Sequence, residues 1–295
     1  WETRYRGDEG VLFTGERRVL EPGDTIEEVW NKSPDGPSPA APYRGAVTAS
    51  VTGGESLVTE PYARICVACR QGDVAMLYLR PYADSDPTHY GSSSTTPSKV
   101  EFARDGELAW TSDSLTRAVA SPDRLALPML PRAADYRVTW TQVHPGDDVA
   151  RSVTDWRFRS APSDPAADLP KSTQCTPVQG RRCSFLPLLF VRYDLALDTR
   201  NSAPAGDRFE IAFGVTGQQH APVPTGVEAT VQVSYDDGAT WSEPAEAERR
   251  ADGTFATTID HPESGNFVSL RVRAHDSRGN AVEQTSIRAY RLTDR

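Results

Sequence analysis

The chain has 295 residues, 38% of them hydrophobic and 25% charged, with a formal net charge of −9. That balance is globular rather than disordered and leaves room for two domains. With lysine at Lys32, Lys99 and Lys171 alone, it excludes the basic surface that a nucleic-acid backbone needs, and no apolar run approaches the ~18 residues of a membrane helix.

The chain opens on Trp1, with no basic segment followed by an apolar one, and so reads as a processed or excised fragment. Helical periodicity is nearly absent. Alternation with a period of two, broken by Gly, Pro, Asp and Ser, predicts short strands over Tyr43–Thr52, Ala63–Val67, Val74–Leu79, Lys99–Phe102, Glu107–Thr111 and Tyr136–Gln142. Val153–Ser160 is expected to close the first half, with Trp156 and Phe158 on one face. Asp105-Gly106 supplies a hairpin turn between two of these strands. The polar stretch Asp84–Ser98 is expected to be a long exposed loop.

Residues 161–184 carry Pro162, Pro165, Pro170 and Pro177 with little apolar content, the composition of a linker. Beyond it, strands are predicted at Leu188–Leu195, Phe209–Val215, Val227–Tyr235, Thr254–Ile259, Phe267–His275 and Val282–Tyr290. Ala229, Val231, Val233 and Tyr235 share one face of their strand; Val268, Leu270, Val272 and Ala274 share one face of theirs, with Ser269, Arg271, Arg273 and His275 toward water. Asp276-Ser277-Arg278-Gly279-Asn280 turns the chain into the last strand. The expected architecture is all-β, with two antiparallel β-sandwiches: a jelly-roll-like one over 1–160 and, after the 161–184 linker, an immunoglobulin- or fibronectin III-like one over 185–295.

Four cysteines, Cys66, Cys69, Cys175 and Cys183, allow three pairings. Two local bridges, Cys66–Cys69 and Cys175–Cys183, are favoured in an oxidising extracellular setting. Free thiols, or a zinc site lacking the usual second knuckle, are the rival readings. Ser234-Tyr235-Asp236-Asp237-Gly238-Ala239-Thr240-Trp241 matches the Asp-box pattern S-x-D-x-G-x-T-W. Ser234, Asp236, Gly238, Thr240 and Trp241 each have a turn or packing reason to be there, so the motif reads as a folding device.

His89, His144, His220, His261 and His275 form no zinc pattern and are expected at the surface. No G-x-S-x-G elbow and no subtilase-type serine context occurs, so no catalytic residue is assigned. Asp194, Asp198, Asp236, Asp237, Asp252, Asp260 and Asp276 would gather near strand ends, where calcium is conceivable; solvated loop carboxylates are the preferred reading, and no metal site or cofactor is assigned. Trp1, Trp30, Trp110, Trp140, Trp156 and Trp241 are read chiefly as core, with a sugar-stacking platform as the rival.

Leu186-Pro187-Leu188-Leu189-Phe190-Val191-Arg192-Tyr193-Asp194, then Asn201-Ser202-Ala203-Pro204-Ala205-Gly206, the 233–241 segment, Val268–Ala274 and Ala289-Tyr290 follow in an order that resembles the C-terminal extensions of secreted actinobacterial subtilisin-like serine peptidases. Upstream, the segments 23–31, Arg104–Leu108 and Trp156–Ser160 resemble the preceding module of such extensions. The resemblance implies secretion and synthesis as part of a serine endopeptidase precursor whose catalytic residues lie elsewhere. It implies a non-catalytic accessory role in stabilisation, docking or partner binding, with the catalytic domain of the same precursor or another extracellular protein as partner. A carbohydrate- or cell-wall-binding module is the alternative, and a hydrolase with an unmarked site is a third reading.

Overall fold

A computed structural model describes residues 2–6, 12–17, 21–30, 32, 34–40, 64–92, 98–112, 125–144, 150–162, 169, 173–174 and 183–293. Among these residues the chain is all-β and contains no helix. It begins with β1 (Glu2–Arg6), β2 (Leu12–Arg17), β3 (Arg64–Ile65), β4 (Ala68–Gln71) and β5 (Val74–Leu77). Then come β6 (Tyr90–Ser92), β7 (Ser98–Arg104), β8 (Glu107–Thr111), β9 (Leu125–Pro128), β10 (Ala134–His144) and β11 (Ala150–Ser160). Two short strands, β12 (Thr173–Gln174) and β13 (Ser184–Phe185), precede β14 (Phe190–Tyr193), β15 (Ser202–Pro204), β16 (Arg208–Thr216) and β17 (Glu228–Ser234). The last are β18 (Ala245–Glu246), β19 (Glu248–Arg249), β20 (Phe255–Asp260), β21 (Phe267–His275) and β22 (Ala281–Thr293).

The largest sheet has nine strands in the order β18-β17-β21-β22-β11-β10-β7-β8, with β15 added in parallel on β22. Two four-stranded antiparallel sheets, β13-β4-β5-β9 and β14-β16-β20-β19, accompany it. Alternation explains the layering. In β10, Tyr136, Val138 and Trp140 are buried, and in β11 Trp156 and Phe158 are buried on the same face. In β16, Phe209, Ile211, Phe213 and Val215 point into the core, opposite Val231, Val268, Leu270 and Val272. Each such side chain withdrawn from water contributes ~1.5–3 kcal/mol.

One hydrophobic core takes residues from both sides of 161–184. The join is the antiparallel pairing of β11 with β22, from Arg151↔Ile287 to Arg157↔Ala281. Trp156 is wholly buried at this seam, donates its indole N–H to the Leu189 carbonyl (2.6 Å) and lies 5.7 Å from the Phe190 ring. Buried Gln218 adds a second tie: its amide donates to the carbonyls of Ala68 (2.6 Å) and Leu186 (3.1 Å) and accepts from the Ala68 N–H (2.9 Å). The segment read as a linker also takes part in this body. β12 pairs with β3, β13 pairs with β4, and Leu169 packs against Cys66, Cys69 and Cys183.

Several sequence expectations need correction. Ala63–Val67 is not continuous: strand ends at Ile65, and the chain turns at Cys66 and Val67 before β4. Of the stretch Asp84–Ser98, expected as an exposed loop, residues 84–92 and Ser98 are described, and these do not form one. Asp84, His89 and Tyr90 are buried and Tyr90–Ser92 is strand, because the acid and the imidazole satisfy one another inside. Ser269 is buried rather than solvent-facing: the β21–β22 register shifts there, Arg288 takes φ +56°, and the Arg288 N–H donates to the Ser269 hydroxyl (3.1 Å). Tyr235 leaves the buried face and is 38% exposed, because the strand gives way to the Asp-box turn. The strand expected at Tyr43–Thr52 lies outside the described residues. Glu107–Thr111 and Phe267–His275 are found as read, and Asp105 (φ +48°) and Gly106 (φ +88°) make the hairpin turn between β7 and β8.

On the outer face of the seam, Asp155 stands opposite Glu283, a like-charge pair that would weaken the ladder. Arginines on each side offset it. Asp155 accepts from Arg137, from Arg157 (2.9 Å) and from the Thr139 hydroxyl (2.7 Å), while Glu283 accepts from Arg273 (2.7 Å). Asp155→Ala is expected to cost about 1–3 kcal/mol by removing the hydrogen bonds that Arg137, Arg157 and Thr139 make to this nearly buried carboxylate. A urea titration checks this: the midpoint falls with unchanged slope.

Candidate functional site

Carboxylates are spread along the second half, and the structure shows what most of them hold. The Asp236 carboxylate accepts from the Ser234 hydroxyl (2.7 Å), the Thr240 N–H (2.9 Å) and the Thr240 hydroxyl (2.6 Å). The Gly238 N–H donates to the Ser234 oxygen (2.9 Å), and the Trp241 indole N–H donates to the Gly238 carbonyl (3.0 Å). Gly238 sits at φ +85°, a left-handed backbone that selects glycine. The Arg271 guanidinium covers the Trp241 ring at 3.9 Å, and Arg288 clamps Asp237 with two bonds of 3.0 and 2.8 Å. The five residues of the motif are thus brought together as a turn.

The same device recurs at other loops. Asp198 accepts the N–H groups of Arg200 and Ser202 (2.8 Å each), and Asp252 accepts the N–H (2.9 Å) and hydroxyl (2.7 Å) of Thr254. Buried Asp276 accepts the N–H groups of Arg278 and Asn280 (2.9 Å each) and the Asn280 side-chain amide (2.8 Å). Asp194 accepts from Lys32 (3.2 Å). These carboxylates are committed to donors of their own loops and neighbours. Among the described residues, no three His, Cys, Asp or Glu side chains converge as a metal site.

Cys66 and Cys69 are joined by a disulfide, and Cys183, itself disulfide-bonded, packs beside them. Cys175 lies outside the described residues. Of the histidines, His220 and His275 are exposed as expected, and only the backbone of His144 is described. His89 and His261 are buried, against expectation. Burial disfavours the charged form of His261 and pushes its imidazole below the ordinary value. Its Nδ1–H donates to the Pro204 carbonyl (3.0 Å), and Nε2 accepts from the Tyr290 hydroxyl (3.0 Å).

His89 is the one described histidine with a buried acid partner. Its Nδ1 is 3.0 Å from both oxygens of buried Asp84, and the ring stacks on Trp30 at 3.7 Å between centroids. Such an acid–imidazole pair is two-thirds of a nucleophile-activating triad. Its other nitrogen has no hydrogen-bond partner among the described residues and lies 3.7 Å from Asp86. The nearby Ser38 hydroxyl donates to the His89 carbonyl (3.0 Å) and accepts the Ala40 N–H (3.1 Å). Among the described residues, no nucleophile stands on the imidazole.

The remaining feature is a cleft of about 270 Å³ where the exit from the Pro-rich segment meets loops of the second half. One wall is Phe185–Leu189, the other Ala221-Pro222-Val223-Pro224-Thr225, and the Asp276–Asn280 turn borders both. Local bonds fix the frame. Gln218 holds the first wall through the Leu186 carbonyl, and Ser277 donates its N–H to the Thr225 carbonyl (2.9 Å). Val223 is 82% exposed, the most exposed of the large apolar side chains described. Sequence reading passed over this cleft; the exposed run Pro222-Val223-Pro224 was its signal. A larger concavity of about 650 Å³, lined by Arg208, Glu210, Glu246, Glu248, Arg249 and Arg250, is polar and partly self-compensated by the Arg250–Glu210 ion pair (2.6 Å).

The tryptophans divide between core and partial cover. Trp140 and Trp156 are buried, Trp30, Trp110 and Trp241 are half-buried, and Trp1 is outside the described residues. Among the large hydrophobics described, Tyr235 is the one exposed aromatic ring. Comparison of the sequence with protein-family models and with curated proteins found no match.

The hydroxyl and amide donors of Thr240 and the Ser234 hydroxyl hold the Asp236 carboxyl at about 2, below its ordinary 3.8. A depressed carboxyl pKa contributes stability that is present above the ordinary value and is lost as pH falls through the folded one. Between pH about 4 and 2, Asp236→Asn is therefore expected to lose less stability than the parent, while starting from a lower value at pH 7. Thermal unfolding across that range reads both effects. Gly238→Ala is expected to destabilise by roughly 1–2 kcal/mol at every pH, from the left-handed backbone alone.

Proposed function

We propose that the chain is a non-catalytic accessory region of a secreted subtilisin-like serine endopeptidase, and that it holds a protein partner, first of all the catalytic domain of the same precursor. The observation that carries this reading is the pre-formed apolar cleft between Phe185–Leu189 and Ala221–Thr225, bordered by a turn whose acid, Asp276, is already satisfied by donors of its own loop. Apolar concavities with fixed walls bind at little conformational cost. The ordered resemblance of segments 186–194, 201–206, 233–241 and 268–274 to subtilase extensions is what supports this choice of parent. The Cys66–Cys69 disulfide supports an oxidising, extracellular location.

In finer terms, we read residues 185–295 as an immunoglobulin-like sandwich. The β14-β16-β20-β19 sheet faces β18-β17-β21-β22 across a shared core, and Phe209 meets Tyr290 at 5.4 Å between the two. The 1–160 segment is read as jelly-roll-like, with β13-β4-β5-β9 laid over β11-β10-β7-β8. Arg70 bridges these sheets through the Ser160 hydroxyl (3.3 Å).

The test is a pull-down from native culture fluid with this chain as bait, followed by mass spectrometry. The encoded subtilase domain is the expected prey, and Val223→Asp in the cleft wall is expected to reduce its recovery at least about tenfold, the usual weight of one apolar anchor. Recovery of wall polysaccharide alone, or of an unrelated protein alone, would move carbohydrate or other partner binding to first place.

A further inference from the structure

The cleft has a chemistry more specific than apolar contact. Pro187, Pro222 and Pro224 in its walls have no N–H to offer. The N–H groups of Leu186, Leu188 and Ala221 are spent on Ala68, Leu186 and Gln218 carbonyls (2.9, 2.9 and 3.0 Å). These walls are poorly equipped to add a strand along the middle of an extended polypeptide, because strand addition needs a row of free donors and acceptors. A ligand here is recognised by a side chain and by charge.

The charge at the cleft is Arg278. Its neighbour Asp276 is already satisfied by three donors of its own turn. The Arg278 guanidinium is exposed and, among the described residues, has no hydrogen-bond or ion-pair partner. Thr225 and Ser277 lock its turn to the 221–225 wall, with their hydroxyls 3.1 Å apart and a further backbone bond of 2.9 Å. The cation is therefore carried on a fixed frame at the edge of an apolar pocket. At about 270 Å³ the pocket falls below the ~300–1,000 Å³ of sites for larger ligands.

We infer that this cleft captures the C-terminal residue of a polypeptide, with an apolar side chain between the proline-bearing walls and the terminal carboxylate on Arg278. The inference rests on the protein-binding reading above and names its ligand. Guanidinium and carboxylate match in charge and in paired geometry. A chain end needs no backbone pairing beyond its own terminus. Hydrolysis of a peptide bond by the proposed parent enzyme would generate such ends, so the chain would hold cleavage products or the matured end of its own catalytic domain.

Titration of the isolated, ¹⁵N-labelled chain with N-acetyl-L-leucine, N-acetyl-L-leucinamide and N-acetylglycine tests this directly. The acid is expected to shift amides of 185–189, 217–225 and 277–280 and to bind at least about fivefold more tightly than the amide, the scale of one exposed charge-assisted bond. N-acetylglycine is expected to bind at least about fivefold more weakly than N-acetyl-L-leucine. Arg278→Gln should erase the preference for acid over amide, and Arg278→Lys should keep part of it. Equal binding of acid and amide by the parent chain, shifts that map elsewhere, or no shift with any probe would overturn the inference, and none of these depends on a variant folding. A catalytic domain recovered by pull-down together with failed titrations would sink this inference alone, whereas successful titrations with no recovered domain would sink only the earlier reading.

Discussion

Trp156 is buried where β11 runs against β22, with its indole N–H on the Leu189 carbonyl and its ring against Phe190. Three stretches remote in sequence meet there: the closing strand of the first half, the exit of the Pro-rich segment, and the C-terminal strand. A buried indole N–H without its acceptor costs more than the bond is worth when made, so β11 and the Leu189 backbone cannot part without leaving a polar group stranded, while the ladder holds β22 to β11. The Asp155–Glu283 opposition on the outer face acts against this pairing and is offset by the arginines of β10, β11 and β21. The seam makes one sheet and one core out of segments that flank 161–184.

The cleft follows from that join. Its first wall, Phe185–Leu189, is held from below by Trp156 at Leu189 and from the side by Gln218 at Leu186. Its second wall belongs to the loop between β16 and β17, and Gln218 lies at the start of that same loop. One side chain therefore sets the distance between first-half backbone at Ala68, the linker exit and the far wall. The cleft is a by-product of stitching the halves together, lined by prolines and by a turn whose acid is already satisfied.

Much of the fold was legible because alternation survives where a strand is half-buried. β8 and β21 were found at their residues, and the inward rows Ala229/Val231/Val233 and Val268/Leu270/Val272/Ala274 were read correctly. The Asp-box was legible for a different reason: the hydrogen bonds among Ser234, Asp236, Gly238, Thr240 and Trp241 are all local, so the spacing carries the geometry. What escaped is non-local. Asp84 and His89 look like loop residues until their mutual bond is seen, and Ser269 looks solvent-facing until the bulge at Arg288 is seen. The pairing of β11 with β22 joins residues more than a hundred positions apart, and a Pro-rich stretch between them reads as a boundary. Of the cleft, sequence analysis drew attention to the 186–194 run and the 276–280 turn, without the juxtaposition that makes them a site.

The central claim is that the seam makes the two halves one cooperative body, and native-state hydrogen exchange in a urea series tests it most directly. Core amides of the first half, such as Phe102 and Val138, and of the second, such as Ile211 and Leu270, are predicted to converge on one opening free energy with one dependence on urea. Two separate isotherms, with the second-half amides still protected after those of β7 and β10 have exchanged, would contradict the account.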